Sequence, residues 1–191
     1  MESLQEINAL KLAHAFVRSR VRVGDLCVDA TAGNGGDTAL LAKLVGPGGC
    51  VHAFDIQRAA IDRTAERLRE AGLLERCALH HVGHQSMDAF VHPDSAACIM
   101  FNFGYLPGGD HSIGTRAETS IMAIEKALRL VKPGGVLSLC LYYGGVSGFE
   151  ERDAILEFAG QIDPMRYTVL MHRFINRTGC PPIFLMIERH A

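Results

Sequence analysis

The chain has 191 residues, enough for one domain with its own full core and too few for two comfortable ones. Apolar residues make up 48% and charged residues 21%, which is globular composition and excludes a disordered tail protein. Nineteen Lys and Arg against 21 Asp and Glu give a net charge of −2, which excludes attachment to nucleic acid by bulk charge alone, though not a local basic face.

Leu4, Ile7, Leu10, His14 and Val17 recur at helical spacing, so an amphipathic N-terminal helix is predicted within 1–22. Leu26-Cys27-Val28 reads as a short buried strand, and a glycine-rich turn leads from it into a helix over Asp37–Leu44 that ends at Pro47-Gly48-Gly49. Cys50–Ile56 is the second strand, followed by a charged helix over Ala59–Ala71 that stops at Gly72. Cys77–Val82 and Ala96–Phe101 are the third and fourth strands. A helix over Ala117–Leu130 ends at Lys132-Pro133-Gly134-Gly135, and the fifth strand runs over Val136–Tyr142. A helix over Gly148–Ala159 precedes two last strands, Tyr167–Phe174 and Ile183–Glu188.

Strands alternating with helices predict an α/β domain with a parallel sheet covered on both faces. The last two strands have no helix between them and should pair antiparallel, since a parallel return needs a long crossover. No linker, repeat or low-complexity tract divides the chain, so a single domain over 1–191 is expected. No apolar run approaches the roughly 18 residues of a membrane helix. The opening MESLQEINAL carries acids where a secretory signal carries bases, so a cytoplasmic protein with no membrane partner is expected. The six cysteines form no C-x-x-C pair and no zinc-ligand rhythm; five lie in or beside apolar runs, as core thiols do.

The most informative stretch is DATAGNGGDT, Asp29 to Thr38. Gly33, Gly35 and Gly36 let the backbone turn tightly and approach a ligand, with the next helix's first N–H groups facing it. A purely structural α/β turn also favours glycine. The dinucleotide fingerprint G-x-G-x-x-G fails, because Thr38 holds the third glycine position. Asp55, 22 residues beyond Gly33, closes the second strand where a carboxylate can accept from ribose hydroxyls; its other reading is a helix N-cap. Asn102, at the carboxyl end of the fourth strand, lies at the crevice where open α/β sheets bind ligands, or else starts a turn.

The glycine turn, the acid after strand two and the antiparallel ending together resemble the class I S-adenosylmethionine-dependent methyltransferases. The resemblance implies a Rossmann-like, seven-stranded, mostly parallel sheet with an antiparallel last strand and helices on both faces. It places the methionine part of S-adenosylmethionine at Gly33, Asn34, Gly35, Asp37 and Thr38, the ribose at Asp55 with Ile56 and Gln57, and the adenine beside Gly83, His84 and Gln85. Asn102 matches the Asn of the Asn-Pro-Pro-Tyr motif of amino-group methyltransferases, with Phe103 and Gly104 replacing the prolines. The longer runs FNFGYLPGGDHSIGT, AFDIQ, GGVSGFEE and FINRTGCPP narrow the resemblance to the MnmM/YtqB family, first labelled rRNA methylases. That resemblance implies methylation of the aminomethyl group of a modified wobble uridine, with tRNA as substrate.

An aliphatic amine is largely protonated near neutral pH and must lose a proton before it attacks. Tyr105, Asp110 and His111 are the groups near Asn102 able to take it or to hold the neutral form. Asp110 and His111 could equally order the loop. His80, His81 and His84 cluster, but adjacent strand residues point to opposite faces and no ligand spacing is present, so no metal is expected. Arg58, Arg63, Arg67 and Arg69 interleave with acids as on a solvated helix face, and a tRNA surface could equally draw on Arg18, Arg20, Arg22, Arg116, Arg173 and Arg177. An rRNA or small-molecule amine methyltransferase and a non-catalytic adenosyl-ligand binding module are the alternatives. A homodimer is the default assembly.

Overall fold

A computed structural model describes residues 7–104, 114–144 and 148–191. Helix α1 spans Ala9–Arg20, β1 Leu26–Asp29, α2 Gly36–Val45, β2 Cys50–Asp55, α3 Arg58–Glu70 and β3 Cys77–His81. They are followed by β4 (Ala96–Phe103), α4 (Ala117–Leu130), β5 (Val131–Leu141), α5 (Gly148–Gly160), β6 (Tyr167–His172) and β7 (Ile183–Arg189). The strands form one sheet in the order β3-β2-β1-β4-β5-β7-β6. β7 runs antiparallel to both β5 and β6, while β1 to β5 pair in parallel. The seven-stranded, mostly parallel sheet with a reversed last strand is therefore present.

Side chains alternate between the two faces of a strand. Along β4, Cys98 and Met100 join a core with Val17, Leu41 and Leu68 from α1, α2 and α3. Ile99, Phe101 and Phe103 join a larger core with Ile124 of α4 and Ile155 of α5 on the other face. Burying each such side chain is worth about 1.5–3 kcal/mol. Asn102 shares the parity of Cys98 and Met100, so it points to the side of α1 and α2.

Two strands are longer than the sequence predicts by more than one residue. β4 continues through Asn102 to Phe103, because Asn102 and Phe103 pair with Cys140 and Leu141 of β5. β5 begins at Val131, and Lys132-Pro133-Gly134-Gly135 becomes an irregularity within the strand, with Gly134 at φ +74°. A 3-10 turn over His84–Ala89, absent from the sequence expectations, follows β3 and is tied to α4 by Lys126, whose Nζ donates to Gln85 O at 2.6 Å.

Helix α1 begins at an Asn8 cap, whose Oδ1 accepts from Lys11 N at 2.8 Å. It lies across β5 and β7, burying Ala9 and Ala13 against Cys140 and Phe184. Arg20 clamps its end to β7, donating through both terminal nitrogens to the Glu188 carboxylate at 2.7 Å each. All six cysteines are free; Cys27, Cys98 and Cys140 are buried, Cys50 and Cys77 half-buried and Cys180 exposed. No helix of the described residues is long and apolar enough to cross a membrane.

Candidate active site

The carboxyl ends of β1, β2 and β4 meet at the glycine turn. Gly33 and Gly35 adopt φ of +54° and +76°, values that disfavour a side chain. Gly35 also has no room for one, since a Cβ there would stand 2.9 Å from the Thr64 Cα of α3. The turn is thus held against α3, where Arg67 Nε donates to Asn34 O at 2.7 Å. At Gly36, the first residue of α2, a Cβ would meet nothing within 4 Å.

Asp55 closes β2 and fixes this turn. One carboxylate oxygen accepts from Gly33 N at 2.9 Å, the other from Gln57 N at 2.8 Å. Gln57 itself occupies the N-cap position of α3, so Asp55 supports that helix start without being its cap. A carboxylate has lone pairs to spare beyond two hydrogen bonds, which leaves capacity for hydroxyls. Ile56, beside it, is 55% exposed and offers an apolar surface at the strand end.

Asp29, at the end of β1, is fully buried and was missed by the sequence reading. Its carboxylate accepts from Thr38 Oγ1 at 2.6 Å and from Thr31 N at 3.1 Å. Thr38 therefore turns its hydroxyl into the loop. Burial, reinforced by the charge of Asp37, pushes the Asp29 carboxyl up to about 7. The signal for it was an acid inside an apolar strand, which requires partners nearby.

Asn102 and Asp37 face each other. Asn102 Nδ2 donates to Asp37 Oδ2 at 2.7 Å, and Asn102 N donates to Thr31 Oγ1 at 2.7 Å. The other Asp37 oxygen accepts from His14 Nε2 at 2.6 Å. His14 is the second residue the sequence reading missed; its helical spacing marked it only as part of an apolar stripe.

Four buried side-chain polar atoms lack a hydrogen-bond partner among the described residues, and three belong to these strand ends: Asn34 Oδ1, Asn102 Oδ1 and His84 Nε2. The fourth is Ser138 Oγ of β5. Burial pushes the His84 ring down to about 4, with a backbone hydrogen bond to Ala30 opposing the shift. The neutral ring lies edge-on to Phe101 and Phe103, and its second nitrogen is a bare acceptor. Orphaned polar atoms after β1, after β3 and near the end of β4, an apolar Ile56 and an open α2 start fit a cofactor with an aminoacyl end, a ribose and an adenine.

Tyr105, Asp110 and His111 lie outside the described residues. The described residues on either side meet: Thr115 N donates to Gly104 O at 2.9 Å, and Gly104 N to Thr115 Oγ1 at 2.8 Å. Buried Glu151 of α5 accepts from Thr115 Oγ1 at 2.8 Å and from Ser120 Oγ at 2.6 Å. His80 stacks on His52 and Phe54, whereas His81 reaches the Ile56 carbonyl, so the two rings serve different sides. Of the arginines, Arg20 is taken by Glu188 and Arg177 stacks over Phe174 at 4.1 Å.

With groups suited to an adenosyl ligand gathered on β1 to β3, an Asn facing them from β4 and a reversed β7, the chain is a Rossmann-like class I methyltransferase. It belongs to the family described as "Putative rRNA methylase", whose model matches residues 51–188. A structure from Clostridium thermocellum with the same description is 46% identical, with a TM-score of 0.95 over 97% of this chain and 100% of that one. A methyltransferase from Streptococcus mutans, solved with S-adenosylhomocysteine, is 33% identical, with a TM-score of 0.88 over 97% and 99%. The chloroplastic tRNA (mnm5s2U34)-methyltransferase of Arabidopsis thaliana is 37% identical over 95% of this chain and 69% of its own length.

Proposed function

We propose that the protein N-methylates the aminomethyl group of a modified wobble uridine in tRNA, converting 5-aminomethyl-2-thiouridine to its methylaminomethyl form. The observation that carries an amine acceptor is the half-buried Asn102 carboxamide, anchored through Nδ2, with Oδ1 left to accept an N–H. The likeness to the Arabidopsis enzyme supports tRNA as the bearer of that amine. S-adenosylmethionine is the cofactor; when bound it supplies a methyl group on a sulfonium centre, so that transfer forms one N–C bond and breaks one C–S bond.

The chain's own residues have three tasks. Gly33, Asn34, Gly35 and Thr38 of the turn, with Asp55, Ile56 and Gln57, hold the aminoacyl and ribose parts, and His84 with Gln85 the adenine. Asn102 Oδ1 accepts one amine N–H, which orients the nitrogen lone pair; such positioning is the main requirement of an in-line displacement. The proton that a methylated amine must shed passes to a group in the Tyr105–His111 segment. With tRNA as substrate the cytoplasm is the place of work, and a homodimer is the expected assembly.

Incubation with labelled S-adenosylmethionine and tRNA lacking the final methyl group tests the reading, with a metabolite pool as the parallel arm. Label in the tRNA, located at the wobble base, is the expected result. Label in the metabolite pool alone would overturn it. Asn102→Ala should keep its fold and its affinity for S-adenosylhomocysteine while turnover falls about 10²-fold.

A further inference from the structure

We propose that His14 and Asp37 are a positioning pair, which locks the Asn102 carboxamide in the single orientation that turns Oδ1 toward the acceptor amine. The role assigned to Oδ1 rests on the amine-acceptor reading above; the lock itself does not.

The geometry is a chain of two short hydrogen bonds across three elements. His14 Nε2 of α1 lies 2.6 Å from one oxygen of Asp37, in the first turn of α2. Asn102 Nδ2 at the end of β4 lies 2.7 Å from the other. The side chains of His14 and Asp37 are 28% and 8% exposed, so the carboxylate is shielded while the histidine closes the pair from outside.

An amide side chain has two edges of nearly equal shape, one donating and one accepting, and nothing in its own structure selects between them. A carboxylate removes the choice because, when ionised, it only accepts. Facing Asp37, Asn102 must present Nδ2, and Oδ1 is left on the opposite edge without a partner among the described residues. Asp37 is itself held by its place in the first turn of α2 and by the N–H of His14 as a direct donor.

Helix α1, packed across β5 and β7, brings that donor in. It is pinned at its far end by the Arg20–Glu188 clamp and along its length by Phe16 on Phe184, 6.0 Å apart. Asp37 was expected among the cofactor contacts. In the structure its two oxygens accept from His14 and Asn102, and the proposal assigns it to the acceptor side on the strength of those partners.

Isosteric Asp37→Asn is the sharpest test, because an amide at 37 can present either edge and the orientation of Asn102 is no longer forced. His14→Ala removes the outer donor, and His14→Gln restores one. Two readouts are needed. The first is hydrogen exchange of the Asn102 side-chain amide by NMR, which needs no substrate. Protection in the wild type, loss in Asp37→Asn and His14→Ala, and recovery in His14→Gln are expected.

The second readout is kinetics on undermodified tRNA together with S-adenosylhomocysteine affinity. Turnover should fall about 10²-fold in Asp37→Asn and about tenfold in His14→Ala, and His14→Gln should return to within about threefold of wild type. KM for tRNA and affinity for S-adenosylhomocysteine should change less than about twofold. An unprotected Asn102 amide in the wild type, unchanged protection in the variants, or a fall in cofactor affinity equal to the fall in turnover would overturn the proposal. If the wild type methylates no tRNA, the substrate reading fails and the exchange experiment still decides the pair. Should Asp37→Asn not fold, the two His14 variants carry both readouts.

Discussion

Asp29 sets the pH behaviour expected of the fold. Unfolded, its carboxyl ionises near 4; folded, burial and Asp37 hold it up to about 7. Between those values the folded chain keeps a proton that the unfolded chain has lost, so stability is greatest at the acid end of the window and declines as pH rises to about 7. Asp29→Asn should flatten that decline. Compared with wild type, thermal melting of the variant should improve by at least ~1 kcal/mol, about 2–4 °C, on going from pH 5 to pH 8. A parallel profile for the two proteins would show that Asp29 does not titrate there. Asp55 is the second test: Asp55→Ala should weaken S-adenosylhomocysteine binding by roughly 1.5–3 kcal/mol, read by calorimetry on folded protein. Reduced melting temperature with unchanged affinity would leave it only its Gly33 and Gln57 hydrogen bonds. The placement of Asp55 and Asn102 at strand ends beside the glycine turn was legible in the sequence, because apolar runs and glycine turns are written locally. His14 was not, since a contact 23 residues away in sequence depends on how α1 crosses the sheet, which no local spacing encodes.

Elements show the same division between local and tertiary causes. The span of α4, Ala117–Leu130, is the predicted one, because its apolar period and its end were written locally. The extension of β4 to Phe103 was not, because it depends on Leu141 offering a partner across the sheet. The start of α2 gives a paired prediction. Gly35→Ala places a Cβ against Thr64 at a backbone angle that disfavours one, so it should cost more than about 1 kcal/mol of stability and displace the turn from α3. Gly36→Ala meets nothing and should preserve the melting temperature. If it nevertheless lowers S-adenosylhomocysteine affinity, the open space over Gly36 is where the aminoacyl end rests. An unaltered affinity would move that end elsewhere along the turn.

Across the whole molecule, sequence order and spatial order part company at the centre of the sheet, where β1 is flanked by β2 on one side and β4 on the other. The crevice at such a reversal is the ligand-binding position of open α/β sheets, and here Asp55 of β2 lies on one side of it and Asn102 of β4 on the other. The alternation of strands and helices was readable from periodicity; the neighbour of each strand was not, because pairing choice is set by packing of the whole. The reversed β7 has one more effect. By running against β5 and β6 it returns residues 173–182 to the same rim as Asn102, where Arg177 stacks over Phe174 and donates to the Ile7 carbonyl just ahead of α1. Two stretches from opposite ends of the chain thereby meet on that rim, apart from the residues proposed to hold the cofactor. If tRNA enters the site across this meeting point, Phe174→Ala with Arg177→Ala should raise KM for tRNA about tenfold while turnover at saturation and S-adenosylhomocysteine affinity stay near wild type; an unchanged KM would show that the hairpin tip takes no part in choosing the guest.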